Sequence, residues 1–184
     1  MKLLAFIVGI TFSLNLYANN PFITFLIEDI LPTLQEWGKD AELVAAVKEQ
    51  NAKGMTLDAI KARDQSWRNE QGIDAEMQAM MESPAAVKMK SLEGTYPYLV
   101  ELFLMDNQGA NVAMTNKTSD YWQGDEDKWT ESFNNGKGGL HIGEVEYDES
   151  VEADLIQVSI PVADGDTVVG AMTIGINLNV LRGD

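Results

Sequence analysis

Apolar residues in the first half of the chain recur three and four positions apart, which is the spacing of one side of an α-helix. The clearest example is residues 41–52, which follow Asp40 as a candidate N-cap and precede Gly54 as a stop signal. A second helix is predicted to begin at Thr56 and a third near Asp74, and Ser83-Pro84 is predicted to cap a fourth. The first half of the chain is therefore predicted to be helical.

From residue 98 onward the spacing changes to that of β-strands, with β-branched residues and alternating apolar and polar positions. The predicted strands are residues 98–105, 110–115, 140–147, 154–162 and 167–177. Turn signals at residues 106–109 and 164–166 join the first two strands and the last two strands as hairpins. Residues 116–139 are too many for a hairpin loop, and Asp125 is a suitable N-cap for a helix within them.

The 184 residues are enough for one domain with its own hydrophobic core, and 45% of them are apolar. The charge is unusual, since 29 acidic residues oppose 13 basic ones and the formal net charge is −16. Such a negative field repels nucleic acids and anionic lipid surfaces, so neither is expected as a partner. The acidity is expected to be spread over a solvated surface rather than to form one cation-binding face.

The N-terminus has the pattern of a signal peptide, in which Lys2 precedes an apolar run over residues 3–14 and Ala18 is a suitable cleavage position. Residues 1–18 are therefore predicted to direct export, to the periplasm or out of the cell. The alternative is an uncleaved anchor in the inner membrane that faces the periplasm, because a second apolar patch follows at residues 22–34.

The rest of the chain is predicted to form a helical segment at residues 19–39 and a single domain at residues 40–184. The chain contains no cysteine, which excludes disulfides, thiolate metal sites and a cysteine nucleophile. An exported domain without disulfides must be stabilised by packing alone.

Motifs in four parts of the domain resemble those of a known family. They are residues 42–51 with Ile60 and Asp64-x-x-Trp67, residues 103–112, residues 118–129, and residues 170–176. In this order they look like the arm helix with its return, the first hairpin, the crossover and the final strand of the extracytoplasmic PAS-like sensors called Cache or PDC domains. The resemblance implies an α+β fold, with a PAS-like five-stranded antiparallel sheet, an N-terminal helical arm and a helical crossover lid.

The resemblance also implies a ligand pocket between the sheet and the crossover. The implied lid residues are Tyr121, Trp122, Asp125 and Trp129, and the implied strand residues are Met114, Thr115, Glu144, Tyr147, Gln157 and Ser159. Family members that bind amino acids place an arginine near the crossover tryptophan, whereas this sequence has Lys128, which argues against an amino-acid ligand. Members that signal directly continue into a membrane helix, so the end of the chain at Asp184 is expected to mark a free-standing subunit.

The crossover combines aromatic rings with carboxylates, which both attract positive charge. This composition favours a small cationic or neutral polar ligand. The alternative is that the rings pack on the sheet without a ligand, because exposed tryptophan is unfavourable. No metal or cofactor is expected, since the acidic residues at 125–127 do not have the spacing of a calcium-binding loop.

His141 is the only histidine and the chain has no G-x-S-x-G element, so enzymatic activity is not expected. The methionines at helical spacing are predicted to fill the core, and they are Met77, Met80, Met81 and Met89. The sequence predicts a soluble exported sensory domain that binds a small ligand and reports to a membrane-bound receptor or kinase. The alternative is a ligand-free PAS-like interaction protein that forms a homodimer through its N-terminal helix.

Overall fold

An antiparallel sheet of six strands forms the centre of the fold. A computed structural model describes residues 24–148 and 152–183. The strands are β1 (Leu99–Met105), β2 (Asn111–Met114), β3 (His141–Ile142), β4 (Glu146–Asp148), β5 (Ala153–Asp164) and β6 (Thr167–Asn177). Their order is β2-β1-β6-β5-β3, and β4 also pairs with β5. The predicted α+β class with a PAS-like antiparallel sheet is confirmed, because the last strand lies in the centre beside the first.

The third predicted strand, residues 140–147, is divided into β3 and β4. His141 lies opposite Ser159 on β5, whereas Glu146 lies opposite Leu155, so the two pairings differ in register by one residue. Gly143 lies in the gap and donates its backbone N–H to the carbonyl of Gln157. This irregular segment explains why the sheet has six strands where five were predicted.

The helices flank the sheet and mostly precede it. Within the described residues they are α1 (Leu31–Trp37), α2 (Ala41–Ala52), α3 (Leu57–Asn69), α4 (Ala75–Glu82), α5 (Pro84–Glu93), α6 (Asp127–Phe133) and α7 (Leu178–Arg182), with a π-helical turn (Leu26–Ile30) before α1. The predicted helix starts at Asp40, Thr56 and Ser83 are confirmed, because each side chain accepts a backbone N–H of the first turn. The helix predicted to begin near Asp74 is α4, and Asp74 caps it in the same way.

The predicted cap of the helix in residues 116–139 is wrong. Helix α6 begins at Asp127, its N-cap is Glu126, and no side chain caps it. Asp125 is exposed instead. Asp125, Glu126 and Asp127 are adjacent acids, so the sequence alone did not distinguish which of them begins the helix.

One face of the sheet packs against the π-helical turn, α1, α2 and α5. Alternation along β6 directs Met172, Ile174 and Ile176 into this helical face, where they are fully buried. The N-terminal segment adds four buried apolar residues to the same core, which are Leu26, Ile30, Leu31 and Leu34. The part of the predicted segment 19–39 that the structure describes is therefore helical and packs on its own sheet.

The predicted signal peptide, residues 1–18, lies outside the described residues. In residues 24–148 and 152–183, no helix combines the length and the apolar character needed to cross a membrane.

The opposite face of the sheet, called here the crossover face, is covered by α3, α4 and residues 116–139. We refer to residues 116–139 as the crossover. A second apolar cluster lies on this face, and its buried members are Ile60, Trp67, Met77, Phe103, Met105, Ala110, Met114, Tyr121 and Ala171. Met77 belongs to this cluster and Met89 to the first, so the prediction that the methionines fill the core is confirmed for these two, while Met80 and Met81 are partly buried and pack against the second cluster.

Gly170 marks a place where two backbones approach closely. A Cβ atom at this position would lie 2.2 Å from the carbonyl oxygen of Met105 and 2.8 Å from Cγ1 of Val47. We expect Gly170→Ala to lower the free energy of unfolding by about 3 kcal/mol, because β1 must move away from β6. Urea denaturation measures this change. Gly72→Ala is the control, since its Cβ would meet only Oε1 of Glu70 at 3.7 Å, and equal stability of the two variants would contradict the prediction.

Candidate functional site

The first part of the crossover extends the sheet beyond β2. Ala110 and Trp122 form an isolated antiparallel bridge. Asn111 donates its backbone N–H to the carbonyl of Tyr121 at 2.9 Å, and Gln123 donates to the carbonyl of Gly109 at 2.8 Å. The outer edge of β2 is therefore paired with the crossover, which fixes the position of Tyr121 and Trp122 relative to the sheet.

Helix α3 binds the same segment from the other side through Asp64 and Trp67. Oδ1 of Asp64 accepts the backbone N–H groups of Tyr121 at 2.9 Å and Trp122 at 3.1 Å. The indole N–H of Trp67 donates to the carbonyl of Thr118 at 2.8 Å. Both side chains are buried, so the Asp64-x-x-Trp67 motif joins α3 to the crossover.

Two cations of α3 lie against the aromatic rings of this region. The Arg63 guanidinium is 5.0 Å from the ring centroid of Trp67 and 5.9 Å from that of Tyr121. The Lys61 ammonium is 4.4 Å from the Trp122 ring. The sequence indicated only Lys128 near the crossover tryptophan, so Arg63 and Lys61 were missed. The i, i+4 spacing of Arg63 and Trp67 on one helix was the available signal.

Tyr121 is the most buried of the predicted site residues on the crossover, at 1% exposure, and its ring lies 5.6 Å from that of Trp67. Burial raises the pKa of its phenol to about 12, and the nearby Asp106 carboxylate acts in the same direction. The hydroxyl is therefore protonated at all physiological pH values and can donate a hydrogen bond.

The raised pKa of Tyr121 predicts a loss of stability in alkali. An unfolded tyrosine loses its proton near pH ~10, and the folded one near pH 12. The free energy of unfolding is thus unaffected by this group below pH ~10 and falls by about 2–3 kcal/mol as the pH rises through the folded pKa. Tyr121→Phe should lack this component. Urea denaturation of both proteins at about pH 9 and about pH 12 measures the difference, and parallel losses would contradict the prediction.

Helix α6 lies over the sheet and places Trp129 and Lys128 on the crossover face. The indole N–H of Trp129 donates to the carbonyl of Asp106 at 3.0 Å. The Lys128 ammonium is 5.7 Å from the ring centroid of Phe103 and 3.0 Å from Oε2 of Glu126. The indole and the ammonium of α6 therefore face the sheet beneath them.

Under α6, the sheet presents a row of residues that are paired across the strands. The row runs Met114, Phe103, Thr173, Ser159 and His141. The hydroxyls of Ser159 and Thr173 are 2.8 Å apart and fully buried, and Nδ1 of His141 lies 2.8 Å from Oε2 of Glu131 on α6. Two predicted site residues, Met114 and Ser159, thus belong to one row of the crossover face.

Gln157, a third predicted site residue, lies in the next row. Its Nε2 donates to Oε1 of Glu101 at 2.9 Å, and both residues are half-buried. Gly175 lies between them in the sheet register, where an added Cβ would come within 2.5 Å of Cγ of Glu101. This glycine lets the two polar side chains meet across β6. Glu101 was not among the predicted residues.

The remaining predicted site residues do not share this location. Thr115 is buried, but its hydroxyl accepts the backbone N–H of Leu102 at 2.9 Å and closes the end of the β1–β2 hairpin. Asp125 and Glu144 are exposed. Tyr147 is 62% exposed and lies opposite Asp154, on the face of β5 that points away from Ser159.

A groove of about 560 Å³ lies elsewhere, between α2 and the β5–β6 turn. Lys39, Lys48 and Asp164 line it together with small residues, and none of the predicted site residues does. Within the part of the chain that the structure describes, no three histidine, aspartate or glutamate side chains are placed to hold a metal ion.

Several solved structures resemble this fold. The sensor domain of the histidine kinase DctB of V. cholerae matches with a TM-score of 0.48 and 13% identity, over 92% of this chain and 55% of that one. The ligand-binding domain of the Pseudomonas aeruginosa PAO1 amino acid chemoreceptor PctC, in complex with GABA, has a TM-score of 0.41 and 12% identity, over 85% and 64%. The sensory domain of the Campylobacter jejuni chemoreceptor Tlp3 has a TM-score of 0.41 and 14% identity, over 89% of this chain and 67% of that one.

The chain thus spans between 55% and 67% of the length of these three structures. No protein-family model and no curated protein matches the sequence. These three solved structures are a sensor domain of a histidine kinase and sensory or ligand-binding domains of two chemoreceptors.

Proposed function

We propose that the chain is an exported sensory domain that binds a small polar or cationic molecule between α6 and the crossover face of the sheet. The observation that supports this most directly is a polar floor on the crossover face. Ser159 and Thr173 lie in the row under α6, and Gln157 and Glu101 lie in the next row, at positions where a sheet face that only packs against helices needs apolar residues. Polar groups among apolar and aromatic walls are typical of ligand sites.

The charges around the site favour a ligand with a polar or cationic end. Glu101 supplies a carboxylate at the floor, and its only hydrogen-bond partner among the described residues is the Gln157 amide, which carries no charge. Exposed acids on the crossover, such as Asp125 and Asp127, and the net charge of −16 raise the local concentration of cations. Lys128 on α6 already pairs with Glu126. The cationic end of a ligand is therefore expected to meet Glu101 and Gln157.

The proposed mechanism is a population shift. Ligand contacts to α6 and to the sheet stabilise the closed arrangement, and a membrane-bound receptor or kinase binds one arrangement more tightly. The ligand can shift the equilibrium only by the difference between its affinities for the two states. Delivery to the periplasm by a cleaved signal peptide, residues 1–18, is part of the same proposal.

A thermal-shift screen with metabolites tests this function, because a ligand that binds only the folded protein must raise Tm. Glu101→Gln combined with Gln157→Ala is expected to remove that rise, since the double variant loses the carboxylate and the amide of the proposed floor. Glu146→Gln is the matched control, because it removes an exposed carboxylate of β4. A full ligand-induced rise in the double variant would place the binding site elsewhere.

A second function, a ligand-free interaction domain, is favoured by a different observation. The indole N–H groups of Trp67, Trp122 and Trp129 all donate to backbone carbonyls of the chain. Cations of the chain also lie over the rings of Trp67 and Trp122. These rings are thus satisfied without a ligand. Failure of every compound to raise Tm, together with a dimer in sedimentation equilibrium, would favour this second function.

A further inference from the structure

The crossover is bound to the rest of the molecule unevenly along its length. The first part of the crossover, residues 117–123, contacts α3 through Asp64 and Trp67. It also has further contacts to α3 and to the loop that follows α3. The Lys117 ammonium donates to the carbonyls of Glu70 at 2.6 Å and Gly72 at 2.9 Å. The Arg68 guanidinium lies 3.4 Å from Oδ2 of Asp120. Backbone and side-chain groups of this part are thus bonded to α3 on one side and to the β1–β2 hairpin on the other.

The second part, residues 126–139, contains α6 and has fewer such bonds. Among the described residues, its hydrogen-bonded contacts with other elements are that of the Trp129 indole N–H with the carbonyl of Asp106 and that of the Glu131 carboxylate with the His141 ring. Glu131 is about half exposed, with 49% side-chain accessibility, and a hydrogen bond to such an exposed carboxylate contributes little free energy. Helix α6 is therefore held against the sheet by the packing of its half-buried aromatic rings and by one hydrogen bond, that of the Trp129 indole.

The two parts meet beside a close approach of two glycines. An added Cβ on Gly109, whose φ is +83°, would lie 2.4 Å from Cα of Gly124. An added Cβ on Gly124 would lie 2.3 Å from Nε1 of Trp122. Gln123 is buried, whereas Asp125 is exposed. The boundary between the tightly bonded part and the loosely bonded part therefore falls at Gly124 and Asp125.

We infer that only residues 126–139 open and close over the crossover face, while residues 117–123 remain fixed to α3. This inference rests on the proposed function in one respect, because it identifies α6 as the moving cover of the ligand site. Tyr121 and Trp122 then form a fixed wall, and the ligand enters from the side of α6. Helix α3 does not follow the opening, since Asp64 and Trp67 keep the first part of the crossover in place.

Native-state hydrogen exchange of the unliganded protein tests this inference. The amides of Tyr121 and Trp122 report on the first part through their bonds to Asp64, and the amide of Thr130 reports on α6 through its bond to the carbonyl of Glu126. We expect Thr130 to exchange at least about tenfold more slowly than an unprotected amide, but about tenfold faster than Tyr121 and Trp122. Its exchange should also depend less on urea, because a local opening exposes little surface.

Trp129→Phe provides a second test, since it removes the indole hydrogen bond to Asp106. Exchange in α6 should accelerate by about tenfold while the amides of Tyr121 and Trp122 keep their rates. Asp125→Ala is the control and should change neither set. The inference would be overturned if, in the wild type, the amides of the first part and those of α6 exchanged at the same rate and with the same dependence on urea. The crossover would then open as one body. No ligand is used, so this result is independent of whether a metabolite binds.

Discussion

Replacing Trp67 with alanine is expected to lower the free energy of unfolding by about 4 kcal/mol. The side chain is fully buried and packs against Tyr121, so its removal leaves a large cavity at the junction of α3 and the crossover. The carbonyl of Thr118 also loses its donor. Chemical denaturation followed by circular dichroism measures the change.

Trp67→Phe separates the two causes. Phenylalanine retains most of the apolar contact but cannot donate to Thr118, so we expect a loss of about 1–2 kcal/mol. Trp122→Phe is the matched control, because Trp122 also donates its indole N–H to a backbone carbonyl, that of Gln108, but is only half-buried. A stability of Trp67→Ala within about 1 kcal/mol of wild type would show that this junction does not support the fold.

Replacing Asp64 with alanine is expected to destabilise the protein by about 3 kcal/mol. The backbone N–H groups of Tyr121 and Trp122 lose their acceptor, and Arg68, 2.8 Å from Oδ2 of Asp64, loses its ion pair. Unsatisfied buried donors are costly because water cannot replace the missing acceptor. Equilibrium unfolding in urea is the measurement.

Asp64→Asn keeps a carbonyl oxygen at the position of Oδ1, so it should recover most of the loss, to within about 1 kcal/mol of wild type. Asp125→Ala removes an exposed acid of the crossover and should be neutral within about 0.5 kcal/mol. If Asp64→Ala were as stable as Asp125→Ala, the carboxylate would have no part in holding the crossover.

The helices of the arm could be predicted because their signals are local. Asp40 and Thr56 cap helices within three residues of their own position, and apolar spacing marks the buried side. The division of the third strand could not be predicted in this way. It depends on a register offset against β5, and Ser159 and Leu155 lie more than eight residues away from their partners His141 and Glu146.

The residues of the candidate site were predictable only in part, for a similar reason. Met114 and Ser159 lie on the same face of the sheet because side chains alternate along a strand, and this alternation can be read from the sequence. Arg63 and Glu101 were missed because their roles depend on contacts with distant segments, namely the Tyr121 ring and the Gln157 amide. The solvent exposure of Tyr147 depends on its place on an edge strand, which the alternation of apolar and polar residues does not determine.

The end of the cross-strand row holds the only imidazole of the chain, that of His141, next to Glu131 of α6. In a proton NMR spectrum its two carbon-bound ring protons belong to a single residue, so their signals need no assignment by mutation. A compound that binds beneath α6 should change the chemical shifts of these signals, whereas a compound that binds in the groove beside α2 should leave the chemical shifts unchanged. The protein therefore carries its own spectroscopic label at the site where binding is proposed.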